Sequence, residues 1–476
     1  MFMAFPLKRN YLFTMKKFRK LKLGLILSFC IQSIMAAQEP LHAAEFPAQT
    51  QQTLTVEQAV QLALNNNLNL QRSALNTVSL RRAQDRSWNS LLPTVNVSAL
   101  VSRPTSITGE ILPGQTMSPD GRPQDREVWT PGFSINAGLT LSASVIENIK
   151  KAQADYEAGL LSHEAARQEL ELQVRKLFYQ ILLLDANREL AALSFQSASA
   201  RYEQTAALVR AGQAPRLDEL SARVDMENMR PTVRNAGLLH ENALDTFKMI
   251  LNIPAETVVI LDGNLTAFGG LADGTAGNFS AANVSPGADS LEVSRLLTSI
   301  RSMEAQRNAV RNSAYIPTLR LSWTSAPMYN LQNEYWLDSG SFSVTLGFNV
   351  DNFLPWSNVR TQIQTLNDNI RSAEMQLTDT VRNRENRINQ HIRTIERILE
   401  SLEAIKLNVE LAQSTYQMIE DAFRRGAADY QRLRGAGDSL EQSRNRLLQE
   451  QYNLISALLD LEKEMNVPFG SLTNNH

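Results

Sequence analysis

Leu92-Pro93-Thr94-Val95-Asn96-Val97-Ser98 returns as Ile316-Pro317-Thr318-Leu319-Arg320-Leu321-Ser322, 224 residues further along the chain. In both stretches a proline opens a run in which apolar and polar side chains alternate, the mark of a strand with one apolar face. Phe133-Ser134-Ile135 and Gly138 likewise return as Phe342-Ser343-Val344 and Gly347 at a spacing of 209. Tyr202, Gly212, Ala222, Ala243, Asn252 and Pro254 return as Tyr416, Gly426, Ala436, Ala457, Asn466 and Pro468 at a spacing of 214. Offsets that drift only by small insertions mean two copies of one unit in the same order, and such a repeat governs the architecture.

Each unit reads as helix, strand, loop, strand, very long helix, tight turn, helix. The first copy spans 45–262 and the second 291–468, with 469–476 as a tail. Gly263–Ser290 between them is rich in Gly, Ala, Asn and Ser and reads as a linker. In the first copy Val95, Val97, Ala99 and Val101 alternate with Asn96, Ser98 and Leu100. Phe133, Ile135, Ala137, Leu139 and Leu141 alternate with Ser134, Asn136, Gly138, Thr140 and Ser142. In the second, Leu319, Leu321 and Trp323 form one face of a strand, and Phe342, Val344, Leu346, Phe348 and Val350 one face of the next. An alternation over about ten residues suits a tilted barrel strand facing lipid. A half-buried soluble sheet would alternate in the same way. Two features favour lipid: Trp129, Trp323 and Trp336 fall at or near strand ends, where aromatic girdles sit, and the connections Ser102–Gly132 and Thr324–Gly340 are polar and rich in Pro and Gly, as external loops are.

The helical segments follow another period. Val359, Ile363, Leu366, Ile370, Ala373, Leu377 and Val381 are spaced alternately by four and three, and Ile388, Ile392, Ile395, Leu399 and Leu402 resume the pattern. Leu170, Val174, Leu177, Ile181 and Leu184 repeat it in the first copy, and Leu440, Leu447, Leu454 and Leu461 form a heptad. These are coiled-coil seams. No proline interrupts Ser357–Gly426, so that helix can run for roughly 100 Å at 1.5 Å per residue, which requires similar neighbours to bury its seam.

Composition narrows the class. The 476 residues carry a net charge of −2, and their apolar content is 43%. The pI is about 6.3 and the mean hydropathy −0.25, so no basic field points to nucleic acid. Beyond the N-terminus no apolar run reaches the roughly 20 residues a membrane helix needs. The N-terminus reads as a secretory signal over 1–44, with translation starting at Met15: a basic MKKFRKLK, an apolar core Leu23–Ile31, then small residues at Ala36, Ala37, Ala43 and Ala44. The one cysteine, Cys30, lies inside that core and follows Phe29, whereas lipidation needs a small residue there, so the exported chain is expected to hold no thiol or disulfide. His42, His163, His240, His391 and His476 are scattered and never at metal-ligand spacing. No P-loop, nucleophile elbow or dinucleotide fingerprint is present, so neither an enzyme nor a bound cofactor or metal is expected.

Four strands cannot close a barrel, because bacterial barrels have at least eight, and an open edge in lipid costs several kcal/mol per unpaired backbone group. Several chains must share one barrel. Both strand pairs are flanked by helices on the same side, so the helices project to one side of the membrane and continue the barrel as a helical tube.

The opening Leu54-Thr55-Val56-Glu57-Gln58-Ala59, the LLP and YIP strand entries, the Tyr202/Gly212 and Tyr416/Gly426 pairs and the final Val467-Pro468 together resemble the TolC-type outer-membrane efflux proteins, over nearly all of the chain beyond residue 44. The resemblance implies an α+β membrane protein: a homotrimer in which each chain gives four transmembrane β-strands to a shared 12-stranded β-barrel and two long coiled-coil hairpins to a periplasmic α-barrel. It implies an outer-membrane location and the role of passive exit duct in tripartite efflux or type I secretion, docked to a periplasmic adaptor and an inner-membrane transporter.

It also implies a gate at the hairpin turns, Gly212 and Gly426, though a simple helix stop accounts for both glycines. Asp218 matches the acid of the first hairpin in the family's closing network. The second hairpin departs, with Arg432 and Gly435 where acids are expected and Asp429 out of register. Asp218 is therefore expected to pair with Arg424, Arg425 or Arg432 of a neighbouring hairpin; the bland alternative is solvated tip charges, worth little. Ala214, Leu217 and Ala427 are expected adaptor contacts. The rival from another class is a secreted coiled-coil structural or adhesive stalk, which explains the heptads but gives no cause for the strand quartet or the duplication.

Overall fold

The computed structural model describes residues 52–102, 130–265, 290–330, 335–337 and 340–472. The expected signal segment with Met15 and Cys30, Trp129, most of the first strand-to-strand loop, most of the linker and the last four residues lie outside the described residues.

The first unit begins with β1 (Gln52–Leu54), α1 (Val56–Asn66) and α2 (Leu68–Asp85). The LTVEQA motif is a helix start. Thr55 Oγ1 accepts from the Gln58 N–H, and the Gln58 side chain accepts from the Thr55 N–H at 3.0 Å, so two orphan donors are satisfied reciprocally. Asn67 then breaks the expected single helix in two. Its extended backbone ends α1, and its Oδ1 caps α2 by accepting from Asn69 and Leu70.

β2 (Thr94–Ser102) and β3 (Thr130–Leu141) lead into α3 (Ser144–Arg210), a turn, α4 (Arg216–Leu251) and β4 (Val259–Leu261). The second unit runs α5 (Leu291–Tyr315), β5 (Thr318–Ser325), the short hairpin β6 (Met328–Asn330) and β7 (Tyr335–Leu337), β8 (Gly340–Gly347), α6 (Asn358–Arg424) and α7 (Tyr430–Met465). The two copies agree to the residue in their hairpins: α3 and α6 have 67 residues each, α4 and α7 36 each. Both hairpins also end alike, at Asn252 and Asn466, which adopt positive φ of 54° and 57°. In each, the next N–H reaches back to the carbonyl five residues earlier, Ile253 to Lys248 and Val467 to Glu462, and Pro254 or Pro468 follows, where a helix cannot continue.

The seams are buried as the spacing requires. Ile388, Ile392, Ile395, Leu399 and Leu402 of α6 meet Leu454, Leu458 and Leu461 of α7. Around α3, Val174, Phe178 and Ile181 meet Ala59 and Val60 of α1 and Phe247 and Leu251 of α4. Gly159 is where α2 crosses α3: a Cβ there would stand 2.5 Å from Leu80 Cδ1. Its counterpart 214 residues on, Ala373, meets Ile300 where α5 crosses α6.

The four long strands form one antiparallel sheet in the order β2-β3-β5-β8, joined between units by β3 and β5. Register aligns the alternation across all four strands. Val97 lies beside Ile135, Ala137 beside Trp323, Leu139 beside Leu321, and Leu321 beside Val344. One face is therefore apolar across all four strands, with Ser325 at the end of β5 the polar residue at its margin. The other carries Ser98 beside Ser134 and Ser322 beside Ser343, with hydroxyl pairs at 2.7 and 2.6 Å. The outer edges of β2 and β8 pair with nothing among the described residues.

Two expectations are corrected. Phe348 and Val350 do not extend the last strand: β8 stops at Gly347, and a 3-10 turn follows over Val350–Phe353. Phe348 and Tyr315 each pack on Phe353 with ring centroids 5.2 Å apart, so the chain bends to cover the end of α5 instead of continuing the pleat. The connection Thr324–Gly340 is not wholly loop. It contains the β6–β7 hairpin, whose Trp336 packs edge-on against Phe133 at 5.7 Å.

Candidate gate at the hairpin turns

Both hairpin turns use the same device. Gly212 and Gly426 have φ of 70° and 75°, the left-handed region. Gln213 and Ala427 donate back to the carbonyls of Leu208 and Ala422 at 2.8 Å, and the glycines donate to Val209 and Phe423. This paired closure of a helix end needs a residue without a Cβ penalty at the left-handed position.

The expected gate residues surround these turns as exposed or half-exposed groups, each engaged locally. Arg424 pairs with Glu420 at 2.7 Å, and Arg425 Nε donates to the Asp421 carbonyl at 3.1 Å. Asp429 caps α7, accepting from the Arg432 N–H at 2.8 Å, with Arg432 Nε 3.7 Å away. Asp218 lies in the first turn of α4 with its N–H on the Pro215 carbonyl, and its carboxylate has no ion pair among the described residues. Leu217 and Ala427 are exposed and Ala214 half-buried. Within one chain the structure does not bring Asp218 to any of the three arginines.

It brings together a different set, one turn further in. Ala222 of α4 is buried against Phe423 of α6 and Tyr430 and Leu433 of α7, with Tyr202 and Tyr416 at the margin. At the floor of this cluster the Tyr430 hydroxyl donates to Asp225 Oδ2 at 2.8 Å, and Arg434 Nη1 lies 3.2 Å from Asp225 Oδ1. Asp225 thus holds two partners from the other hairpin and is largely buried, where a charge needs such partners. Tyr430 is 1% exposed. Burial, followed by the hydrogen bond to Asp225, pushes its phenol well above the ordinary tyrosine range, so it remains a donor.

Neither Asp225, Tyr430 nor Arg434 stands out in the sequence. The positions 214 residues away hold Ser439, Arg216 and Leu220, so the repeat hides the trio. The available signal was that difference: a contact between the copies need not be present in both.

Four adjacent strands with one apolar and one polar face, carried on paired hairpins about 100 Å long, define the fold of an outer-membrane channel subunit. The family profile described as outer membrane efflux protein matches residues 59–248 and 290–467. The chain belongs to that family. Among solved structures it is similar to the outer membrane channel CmeC of Campylobacter jejuni, with a TM-score of 0.67 and 15% identity over 86% of this chain and 85% of that one. It is also similar to the outer membrane protein VceC of Vibrio cholerae, at 0.68 and 11% over 87% and 96%. The open state of the Neisseria gonorrhoeae MtrE channel gives 0.65 and 16% over 87% and 89%. No curated protein gives a significant match by sequence.

Proposed function

We propose that three copies of this chain close their sheets into one 12-stranded barrel in the outer membrane and their hairpins into a periplasmic tube, forming the passive exit duct of an efflux or secretion assembly. The observation that carries this is the sheet: an apolar face that crosses all four strands, two open edges, and both hairpins on one side. Phe342 and Leu346 on that face are 67% and 71% exposed, which suits lipid and would be costly for a stalk in water. Two copies would give eight strands, whose interior side chains just fill; twelve leave a lumen.

The repeat supplies the pattern for contacts between copies. Within the chain, Leu193 and Ser197 of α3 and Asp438 of α7 line one cleft where the two units meet. Their counterparts 214 residues away are Leu407 and Leu411 of α6 and Val224 of α4, which are 56%, 57% and 56% exposed. These apolar groups meet between copies in the closed tube, α6 of one against α4 of the next. The Asp225–Tyr430–Arg434 trio holds the two hairpins of each chain together as an inner latch. Asp218, with Arg424, Arg425 and Arg432 of the neighbouring hairpin, forms the outer layer of the gate. Ala214, Leu217 and Ala427 face the periplasmic adaptor, which links the duct to an inner-membrane transporter.

The test is fractionation followed by reconstitution. An outer-membrane fraction containing a heat-modifiable trimer that conducts in planar bilayers is expected. A soluble or extracellular protein without conductance overturns the proposal.

A further inference from the structure

The polar face of the sheet carries Ser, Thr, Asn and Gly on every strand, with two exceptions, the apolar Leu100 near the end of β2 and one charged residue. Arg320, the third residue of β5, is the only charged residue in β2, β3, β5 and β8. Register places it between Thr140 of β3 and Thr345 of β8, so it belongs to the face of Ser322 and Ser343 and not to that of Leu319 and Leu321. Its side chain is exposed and makes no ion pair or hydrogen bond with any described residue. Neither strand partner of Arg320 is acidic, and no strand supplies a carboxylate to that face.

We infer that Arg320 selects for anions in the lumen of the barrel, favouring negatively charged solutes such as carboxylates and phosphates. This rests on the closed barrel proposed above. In it, the polar face lines the lumen and symmetry places one Arg320 from each copy at a single level, giving a ring of three guanidinium groups. Rings of Arg or Lys confer anion preference on pores. Thr140 and Thr345 leave Arg320 free to meet a passing anion. The groups sit on the wall of a wide lumen, so their field is felt where screening is weak. The Debye length is about 30 Å at 0.01 M salt and about 3 Å at 1 M.

Reversal potentials of the reconstituted channel under a KCl gradient test this. At about 10 mM salt the native protein is expected to favour chloride by roughly threefold, and the preference is expected to fade toward unity near 1 M. Arg320→Lys is expected to keep the preference, Arg320→Gln to lose it, and Arg320→Glu to invert it. Gel mobility of the unheated trimer confirms that each variant has assembled. Channels that conduct with the same reversal potential in Arg320→Gln and Arg320→Glu as in the native protein overturn the inference alone. Absence of conductance from the native protein as well overturns the duct proposal and this inference with it.

Discussion

Replacing Tyr430 by Phe removes one hydroxyl and almost no volume, and it acts where the two hairpins of a chain are joined. That hydroxyl donates at 2.8 Å to the Asp225 carboxylate. Hydrogen bonds to charged groups contribute about 1.5–3 kcal/mol each, and here the acceptor is largely buried, so little water can replace the donor. The ring stays in its apolar pocket against Phe423, Ala222 and Leu433, which keeps the perturbation local. If the latched arrangement is the closed one, a loss of about 1.5–3 kcal/mol raises the unlatched population by about ten- to hundredfold per chain. Asp225→Ala should open it further, because it also releases Arg434, although Arg434 is half-exposed and keeps Asp438 within 3.7 Å. Single-channel recording in planar bilayers reads the effect as more time spent in the larger conductance. Tyr430→Phe and Arg434→Gln together should show coupling in a double-mutant cycle, since both act on one carboxylate. Resting conductance unchanged in both Tyr430→Phe and Asp225→Ala, with the trimer intact, would refute the latch.

Arg432→Ala at the outer layer should raise resting conductance, and by less than the inner trio does, because exposed pairs are worth about 0–1 kcal/mol; an effect equal to that of Tyr430→Phe would contradict this ranking. Gly212→Ala or Gly426→Ala forces a Cβ into the left-handed region and should cost about 1–2 kcal/mol, seen as a lower midpoint in denaturant unfolding of the detergent-solubilised protein. Leu411→Asp, placed where a neighbouring copy is expected, should weaken the unheated trimer on gels without loss of helical signal in circular dichroism. Glu462 is fully buried, and its carboxylate accepts from the N–H groups of Gly470 and Leu472, which anchors the C-terminal segment. Burial raises its pKa against the opposing effect of those two donors. Its contribution to stability is thus full below the unfolded carboxylate range and declines as pH rises through its folded value. Relative to Glu462→Gln, the native protein should lose thermal stability from acid toward neutral pH; a flat difference would exclude the effect.

Much of the architecture can be read from local chemistry. The Thr55/Gln58 box, the left-handed glycines and asparagines, and the buried seams of α3 and α6 depend on residues close together in the chain, so the sequence displays them directly. The duplication did the rest, because two copies of Pro-Thr-x-x-x-Ser at a fixed spacing identify a strand that either copy alone would leave open. Local alternation was less reliable at the ends: Phe348 and Val350 continue the pattern of β8 but leave the sheet, Phe348 to pack on Phe353 and Val350 to open the 3-10 turn that carries Phe353 onto Tyr315. The β6–β7 hairpin was missed for the same reason, as three-residue strands hold no period to detect.

The hairpin turns show where the sequence stops. Charges next to the turns drew notice because they lie beside the glycines, and the structure leaves Arg424, Arg425 and Arg432 on partners within four residues. The Tyr430–Asp225 hydrogen bond joins residues 205 positions apart, and no periodicity marks it. By itself the sequence determined the repeat, the two-faced strands, the helix lengths and their turns, because each follows from side chains a few residues apart. Tertiary structure alone decided that β3 meets β5, that Arg320 lies on the polar face of a continuous sheet, and that Asp225 is held by the opposite hairpin. Those depend on which surfaces of the two copies come together, and each copy taken separately has the same pattern whichever partner it meets.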